Sequence, residues 1–234
     1  MPDSSTTSRS TRNSILNNLP EEDYQRLLPD LELVDLPHGQ FIYRPDEQIK
    51  QVYFPNNSMV SLIATTPEGQ SAEVGVIGFE GIVGSDVLMG VDSTSNESIV
   101  QLAGGALRIG ANVLKEEFNK GVAFHDLSLR FIHNLMAQIS QTALCNRLHT
   151  VEERLSRWLL MCRDRSEDDI MHLTQEFLAI MLGTQRATVT VAAIHLQSAN
   201  LIKYSRGNII VTDRKGLEEF TCECYQVVKE AYER

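Results

Sequence analysis

With 234 residues, 42% of them hydrophobic, the chain is long enough for one or two packed domains. Its net charge of −10 argues against a protein that coats nucleic acid without specificity. No apolar run approaches the ~20 residues that span a bilayer, and the Ser/Thr-rich N-terminus lacks the apolar segment of a secretory signal, so a cytoplasmic location and no membrane partner are expected.

Residues 1–13 are polar and read as a mobile tail. Ile15–Leu28 reads as one short amphipathic helix. From Leu33 to Ile109 the chain is a series of short β-like runs cut by His38-Gly39, Arg44-Pro45-Asp46, Pro55-Asn56-Asn57 and Pro67-Glu68-Gly69. The runs Gln51–Phe54, Met59–Thr65, Ala72–Ile77, Ser98–Leu102 and Ala106–Ile109 have the spacing of a small sandwich or barrel. From Val122 to His149 neither proline nor glycine interrupts a helical pattern. Leu135, Ile139, Thr142, Asn146 and His149 alternate by four and three residues, a coiled-coil spacing. A second stripe, Leu129, Ile132, Met136 and Ala143, is the one expected to face the β-rich part. An ordinary helix buried on two sides remains the alternative. Thr150-Val151 is the expected hinge, and Glu152–Arg163 another amphipathic helix with the lone Trp158 in a C-terminal core.

Leu173–Asp213 is the most informative stretch. Thr174 can cap a short helix, Gly183 can end it in a left-handed turn, and Thr184 can cap a second helix. Ala179, Gly183 and Val189 stand where a helix-turn-helix needs a small crossing residue, a turn glycine and an apolar anchor. Leu201–Tyr204, the turn Ser205-Arg206-Gly207-Asn208 and Ile209–Thr212 form a hairpin behind it. The order helix, turn, helix, basic hairpin is that of a winged helix-turn-helix. Charge follows the same division. Residues 1–150 carry 10 basic and 18 acidic side chains, whereas residues 170–215 carry Arg186, Lys203, Arg206, Arg214 and Lys215 against Glu176 and Asp213. The cations stand where phosphates would be met.

The run from Leu173 through "LGTQRATV", "LIKY" and "RGNIIVTD" resembles the DNA-binding domain of the Crp/Fnr superfamily. The resemblance implies an α+β fold: an N-terminal β-roll of the cyclic-nucleotide-binding type, a long dimerisation helix, and a C-terminal winged helix-turn-helix. The implied divisions are a tail at 1–13, a ligand-sensing β-roll at 14–121, a dimerisation helix and hinge at 122–150, and the winged domain at 151–234. A homodimer through Leu135, Ile139, Thr142 and Asn146 is expected. Members that bind cyclic AMP carry an arginine for its phosphate and a glutamate for its ribose. Here the corresponding segments read Gly84-Ser85-Asp86 and Asn96-Glu97-Ser98, with an acid where the anion would sit. Cyclic AMP is therefore not the expected effector. Arg9 and Arg12, three apart in the tail, and the pair Arg44 and Asp46 at a turn are candidate ligand-binding residues for a cyclic dinucleotide, best cyclic di-GMP; a merely solvated tail is the alternative.

The expected DNA-binding residues are Thr174, Thr184, Gln185, Arg186, Thr188, Thr190, Lys203 and Arg206. With Val189, Ala192, Ala193 and Leu196 turned inward, Ala187, Val191 and Ile194 form the outward line of the second helix. The cyclic AMP receptor branch reads bases with a glutamate and an arginine at two such positions. Here the line is apolar, so another transcription factor bound through Ala187, Val191 and Ile194 is the alternative to direct DNA readout. No P-loop, dinucleotide fingerprint, zinc-protease motif or catalytic constellation is present, so neither an enzyme nor a cofactor is expected, and no metal ligand is assigned. Cys145, Cys162, Cys222 and Cys224 read as reduced packing thiols, with a redox or metal role for Cys222-x-Cys224 as the alternative.

Overall fold

The computed structural model describes residues 9, 11–166 and 168–233. Two helices, α1 (Ser14–Asn17) and α2 (Glu21–Leu27), replace the single expected helix. The cause is Pro20, which disfavours helical backbone at Leu19 and itself sits at the N-cap of α2. The tail expectation also needs correction where the chain is described. Asn13 is fully buried; its Nδ2 donates to Pro55 O and Gly81 O, and its Oδ1 caps α1. Residues 1–8 and 10 of that expected tail lie outside the described residues.

Seven strands follow: β1 (Glu32–Leu36), β2 (Phe41–Tyr43), β3 (Gln51–Pro55), β4 (Met59–Thr65), β5 (Ser71–Ile77), β6 (Glu97–Leu102) and β7 (Gly104–Gly110). All pairings are antiparallel, in two sheets ordered β1-β7-β3 and β2-β6-β4-β5. A 3₁₀ turn, Ser85–Met89, leads from β5 to β6. The sheets close over Val52, Phe54, Val60, Ile82, Val100 and Ile109, and α3 (Ala111–Asn119) and the start of α4 (Ala123–Leu148) cover one end. Phe124 of α4 meets Phe54 of β3 edge to face, centroids 6.4 Å apart.

α4 runs 26 residues. His149 and Thr150 then take extended backbone, and α5 (Val151–Arg165) starts with a capping box: Thr150 Oγ1 accepts from Glu153 N, and Glu153 accepts from Thr150 N. The C-terminal part comprises β8 (Ile170–His172), α6 (Gln175–Met181), α7 (Arg186–Ser198), β9 (Ile202–Ser205), β10 (Asn208–Val211), α8 (Arg214–Phe220) and α9 (Cys224–Glu233). β8, β10 and β9 form a small antiparallel sheet in that order. Among the described residues no single helix is long and apolar enough to cross a membrane.

Two findings differ from the expected packing. Leu135 and Ile139 do not form an open seam: both pack against the strands, with Gly75 of β5 so close that an added Cβ would meet Ile139 Cγ1 at 3.3 Å. Thr142 is buried beside Arg157 of the same chain. Only Asn146 of the four expected interface residues is exposed. The exposed stripe is the other one, with Leu129, Met136 (62% exposed) and Ala143, and Leu144 and Leu148 beyond. Ile132 alone of that second stripe faces inward. Both stripes have heptad spacing, so periodicity could not choose between them; the flat glycine-bearing face of β5 did. Trp158 is likewise more than a C-terminal core residue. Its Nε1 donates to Glu73 Oε1 of β5 at 2.8 Å, joining α5 to the strands.

Candidate nucleic-acid interface

Thr174 starts α6, its Oγ1 accepting from Phe177 N at 3.1 Å. Such a cap contributes about 1 kcal/mol. Ala179 is buried where α6 meets α7, and Gly183 (φ +54) makes the turn between them. The turn is fastened from outside by Arg154 of α5, whose guanidinium donates to Leu182 O. Thr184 is not the cap of α7. Its N–H closes the turn onto Ala179 O, and Gln185, one residue later, takes the extended backbone of the N-cap.

On α7 the residues Val189, Ala192, Ala193 and Leu196 are buried, while Ala187, Val191 and Ile194 are exposed. Thr190 Oγ1 donates to Gln175 Oε1 at 2.9 Å and is half-buried, so that hydroxyl joins the two helices rather than facing outward. Arg186 and Thr188 are exposed at the N-terminal end of α7. Behind it β9 and β10 turn through Arg206 (φ +52) and Gly207 (φ +78). Positive φ at both central residues is what a two-residue type I′ hairpin requires, and it lifts the Arg206 side chain to the tip.

Thr174, Gln175, Arg186, Tyr204 and Arg206 line one groove of about 440 Å³. Lys203 is exposed on β9 beside it. Among the described residues Arg186, Lys203 and Arg206 form no ion pair, whereas Arg214 is held by Asp164 and Glu218 and Lys215 lies near Glu219. The five cations legible in the sequence thus separate into three available to an anion and two neutralised by the chain. Thr184, Gln185, Arg186 and Thr188 also line a cleft against Thr65, Thr66, Gln70, Ser71 and Ala72 of the β4–β5 hairpin. The tip of the reading head therefore faces the chain's own strands.

The expected effector residues lie apart from that interface. Arg9 stacks on Tyr24, donates to Leu16 O and Asn17 O, and pairs with Glu21 at 3.0 Å. Arg12 lies over the Phe79 ring. Arg44 covers Phe41, and Asp46 (φ +63) donates its N–H to Thr94 O. A cavity of about 140 Å³ between the strands and α4 is lined by Gly84, Ser85, Asp86, Asn96 and Ser98 on one side and Ile132, Leu135, Met136 and Ile139 on the other. Among the described residues no basic side chain lines it. Burial raises the Asp86 carboxyl above its ordinary value.

Residues 153–220, from the first turn of α5 through the end of α8, match a Crp-like helix-turn-helix domain. Solved structures similar over most of the chain place that domain on a shared fold. A protein from Eubacterium rectale assigned to the Crp/Fnr family of transcriptional regulators has TM-score 0.69 at 15% identity, covering 88% of this chain and 97% of that one. FixK2 from Bradyrhizobium japonicum has TM-score 0.69 at 16% identity, covering 82% and 98%. CLP of Xanthomonas campestris, described as a cyclic di-GMP responsive global regulator, has TM-score 0.63 at 15% identity, covering 82% and 99%. No curated protein matches. The Crp-like domain thus sits behind a β-roll and a long helix, the fold of the Crp/Fnr regulators.

Proposed function

We propose that this protein is an effector-responsive regulator of transcription that acts as a homodimer and binds DNA through α7 and the β9–β10 wing. The observation that carries the reading is the exposed face of the Crp-like domain, where Arg186, Lys203 and Arg206 stand without ion-pair partners among the described residues. Arg186 at the start of α7 suits a guanine edge; Lys203 and Arg206 suit phosphates. The dimer reading is supported by the exposed stripe on α4, and the functional division of the chain falls at the His149–Thr150 break. The effector is proposed to differ from cyclic AMP, because the cavity at the β-roll offers Asp86 and no cation to a phosphate. A cyclic dinucleotide held at Arg9 and Arg12 is supported by the placement of each guanidinium against an aromatic ring; it would have to displace Glu21 from Arg9.

Selection of bound sequences from a random DNA pool, followed by footprinting, tests the central claim. Two half-sites one helical turn apart are expected. Arg186→Ala should cost about 1–3 kcal/mol and relax preference at one base pair, while Lys203→Ala and Arg206→Ala should weaken all sequences alike and each lower the salt slope by about 1. A second reading has its own observation: Val191 and Ile194 are about half exposed on the reading helix. Failure to select any sequence, together with a protein partner lost on Val191→Asp, would replace DNA readout by an adaptor role.

A further inference from the structure

Four side chains with no part in the proposed DNA contact meet at the C-terminal end of α4. Cys145 and His149 lie one turn apart on or just beyond that helix, on a shared face. Cys222 lies between α8 and α9, and Cys224 opens α9. Their donor atoms all lie within 4.8 Å of one another. Cys145 Sγ is 3.5 Å from Cys222 Sγ, and Cys224 Sγ is 3.5 Å from His149 Nδ1. All three cysteines are buried.

Thiols can meet in a core simply by packing. Their surroundings here are those of ligands. His149 Nε2 stands 3.4 Å from Glu223 Oε1, so a carboxylate lies on the far side of the ring while Nδ1 is turned toward the thiols. Gln141 Nε2 donates to Cys224 Sγ at 3.0 Å, the contact that steadies a thiolate. Beside the cluster are two buried guanidiniums, Arg154 and Arg157, whose Nε atoms have no hydrogen-bond partner and which form no ion pair among the described residues. Arg157 is near enough to Cys145 for its charge to act on that thiol. Arg157 also acts on the Glu73 carboxyl, but neither guanidinium has an ion-pair partner among the described residues, and buried cations so placed favour a neighbouring negative charge. Three thiolates, one neutral imidazole and one divalent ion carry a net charge of −1, and so supply it.

We propose that Cys145, His149, Cys222 and Cys224 bind one zinc ion. Three sulfurs and one nitrogen are a known donor set for tetrahedral zinc, with bonds of about 2.3 Å to sulfur and 2.0–2.1 Å to nitrogen. Such bonds set sulfurs roughly 3.8 Å apart, so the observed spacing closes with side-chain adjustment. An iron–sulfur cluster would insert its own irons and sulfides and hold the thiolates further apart. Binding displaces the three thiol protons to solvent and needs no oxidant. The protein fills every coordination position, so the ion is structural. It joins the end of α4 to the segment between α8 and α9, across the His149–Thr150 break. On the regulator reading above, it sets how the DNA-binding domain is held against the dimer helix; the binding itself does not depend on that reading.

The test is metal analysis of the full-length chain, purified under reducing conditions without chelator. One zinc per chain is expected, and cobalt(II) loaded in its place should show tetrahedral ligand-field bands with thiolate charge transfer. Cys224→Ser and His149→Ala should each lose the zinc and those bands. Should a cysteine variant fail to fold, the cobalt spectrum of the unaltered chain decides. Absence of both zinc and a cobalt spectrum overturns the site; so does stoichiometric iron, or a Cys145–Cys222 disulfide in a peptide map of protein isolated without reductant. DNA selection on the same preparation separates the two claims: zinc without DNA binding sinks only the regulator reading, and DNA binding without zinc only the metal site.

Discussion

Glu73 shows what a single residue can couple. It projects from β5 into a fully buried position, where Ser61 Oγ donates to Oε2 at 2.6 Å and Trp158 Nε1 to Oε1 at 2.8 Å. Burial pushes its pKa up to about 7, against those two hydrogen bonds and the charges of Arg157 and Arg165, which lower it. Those two arginines and the buried Cys162 thiol are the ionisable groups that face it from α5. A folded pKa above the unfolded carboxylate value means that the folded state binds the proton more tightly. The contribution is fully present below about pH 4.5 and is lost as pH rises through about 7. Its size is on the order of a few kcal/mol. Melting temperature should therefore fall between pH 5.5 and pH 8, and Glu73→Gln, which keeps the shape and an acceptor for Trp158, should flatten that part of the curve. Parallel profiles for the two proteins would show that Glu73 is not responsible.

Among the elements, α4 is where periodicity and packing part company. Its heptad spacing predicts a seam but fits two stripes. The stripe carrying Leu135 and Ile139 is closed by β5, where Gln138 even completes the strand edge, accepting from Val76 N and donating to Val76 O. The stripe carrying Leu129, Met136 and Ala143 is left exposed, and it is the one the proposed second copy would cover. Met136→Glu should then convert a dimer of 26.3 kDa chains to monomer in sedimentation at micromolar concentration, with little loss of helix content. Leu135→Glu should instead destabilise the chain itself, because it buries a charge without a partner. A dimer that survives Met136→Glu would move the interface elsewhere. α6 and α7 behave oppositely. Their caps, turn glycine and inward faces are local signals, and only Thr184 and Thr190 take places other than those their spacing suggests.

At the scale of the molecule, the β-roll and the Crp-like domain share more than a hinge. Met59, Ile63 and Val76 of the strands belong to the same buried cluster as Trp158 and Leu178. Gly183, at the turn of the reading head, stands where an added Cβ would come within 3.1 Å of Ala72. Any effector that moves β5 or α4 is thus felt by α5–α7. Calorimetry with cyclic AMP should give no binding at physiological concentration, since the cavity against α4 presents an acid to the phosphate. The same titration with cyclic di-GMP should show binding that Arg9→Ala and Arg12→Ala weaken. If cyclic AMP binds at low micromolar concentration, or if removal of residues 1–13 leaves cyclic di-GMP affinity unchanged, that part of the proposal fails.

By itself the sequence determined the helix-turn-helix and wing, the run of strands before a long helix, and the concentration of positive charge behind residue 170. Caps, turn glycines and apolar periods act over a few residues, so they are written in the order of the chain. The tertiary structure alone decided which stripe of α4 is open, which cations are left unpaired, and which polar groups meet in the interior. Glu73 and Trp158 are 85 residues apart in sequence, and Cys145 and Cys222 are 77 apart. Cys222-x-Cys224 is legible in the sequence as a thiol pair, whereas Cys145 reads as a packing thiol and His149 as part of a helical seam. Neither pair has a ligand's meaning until the fold of α9 onto α4 brings the two together.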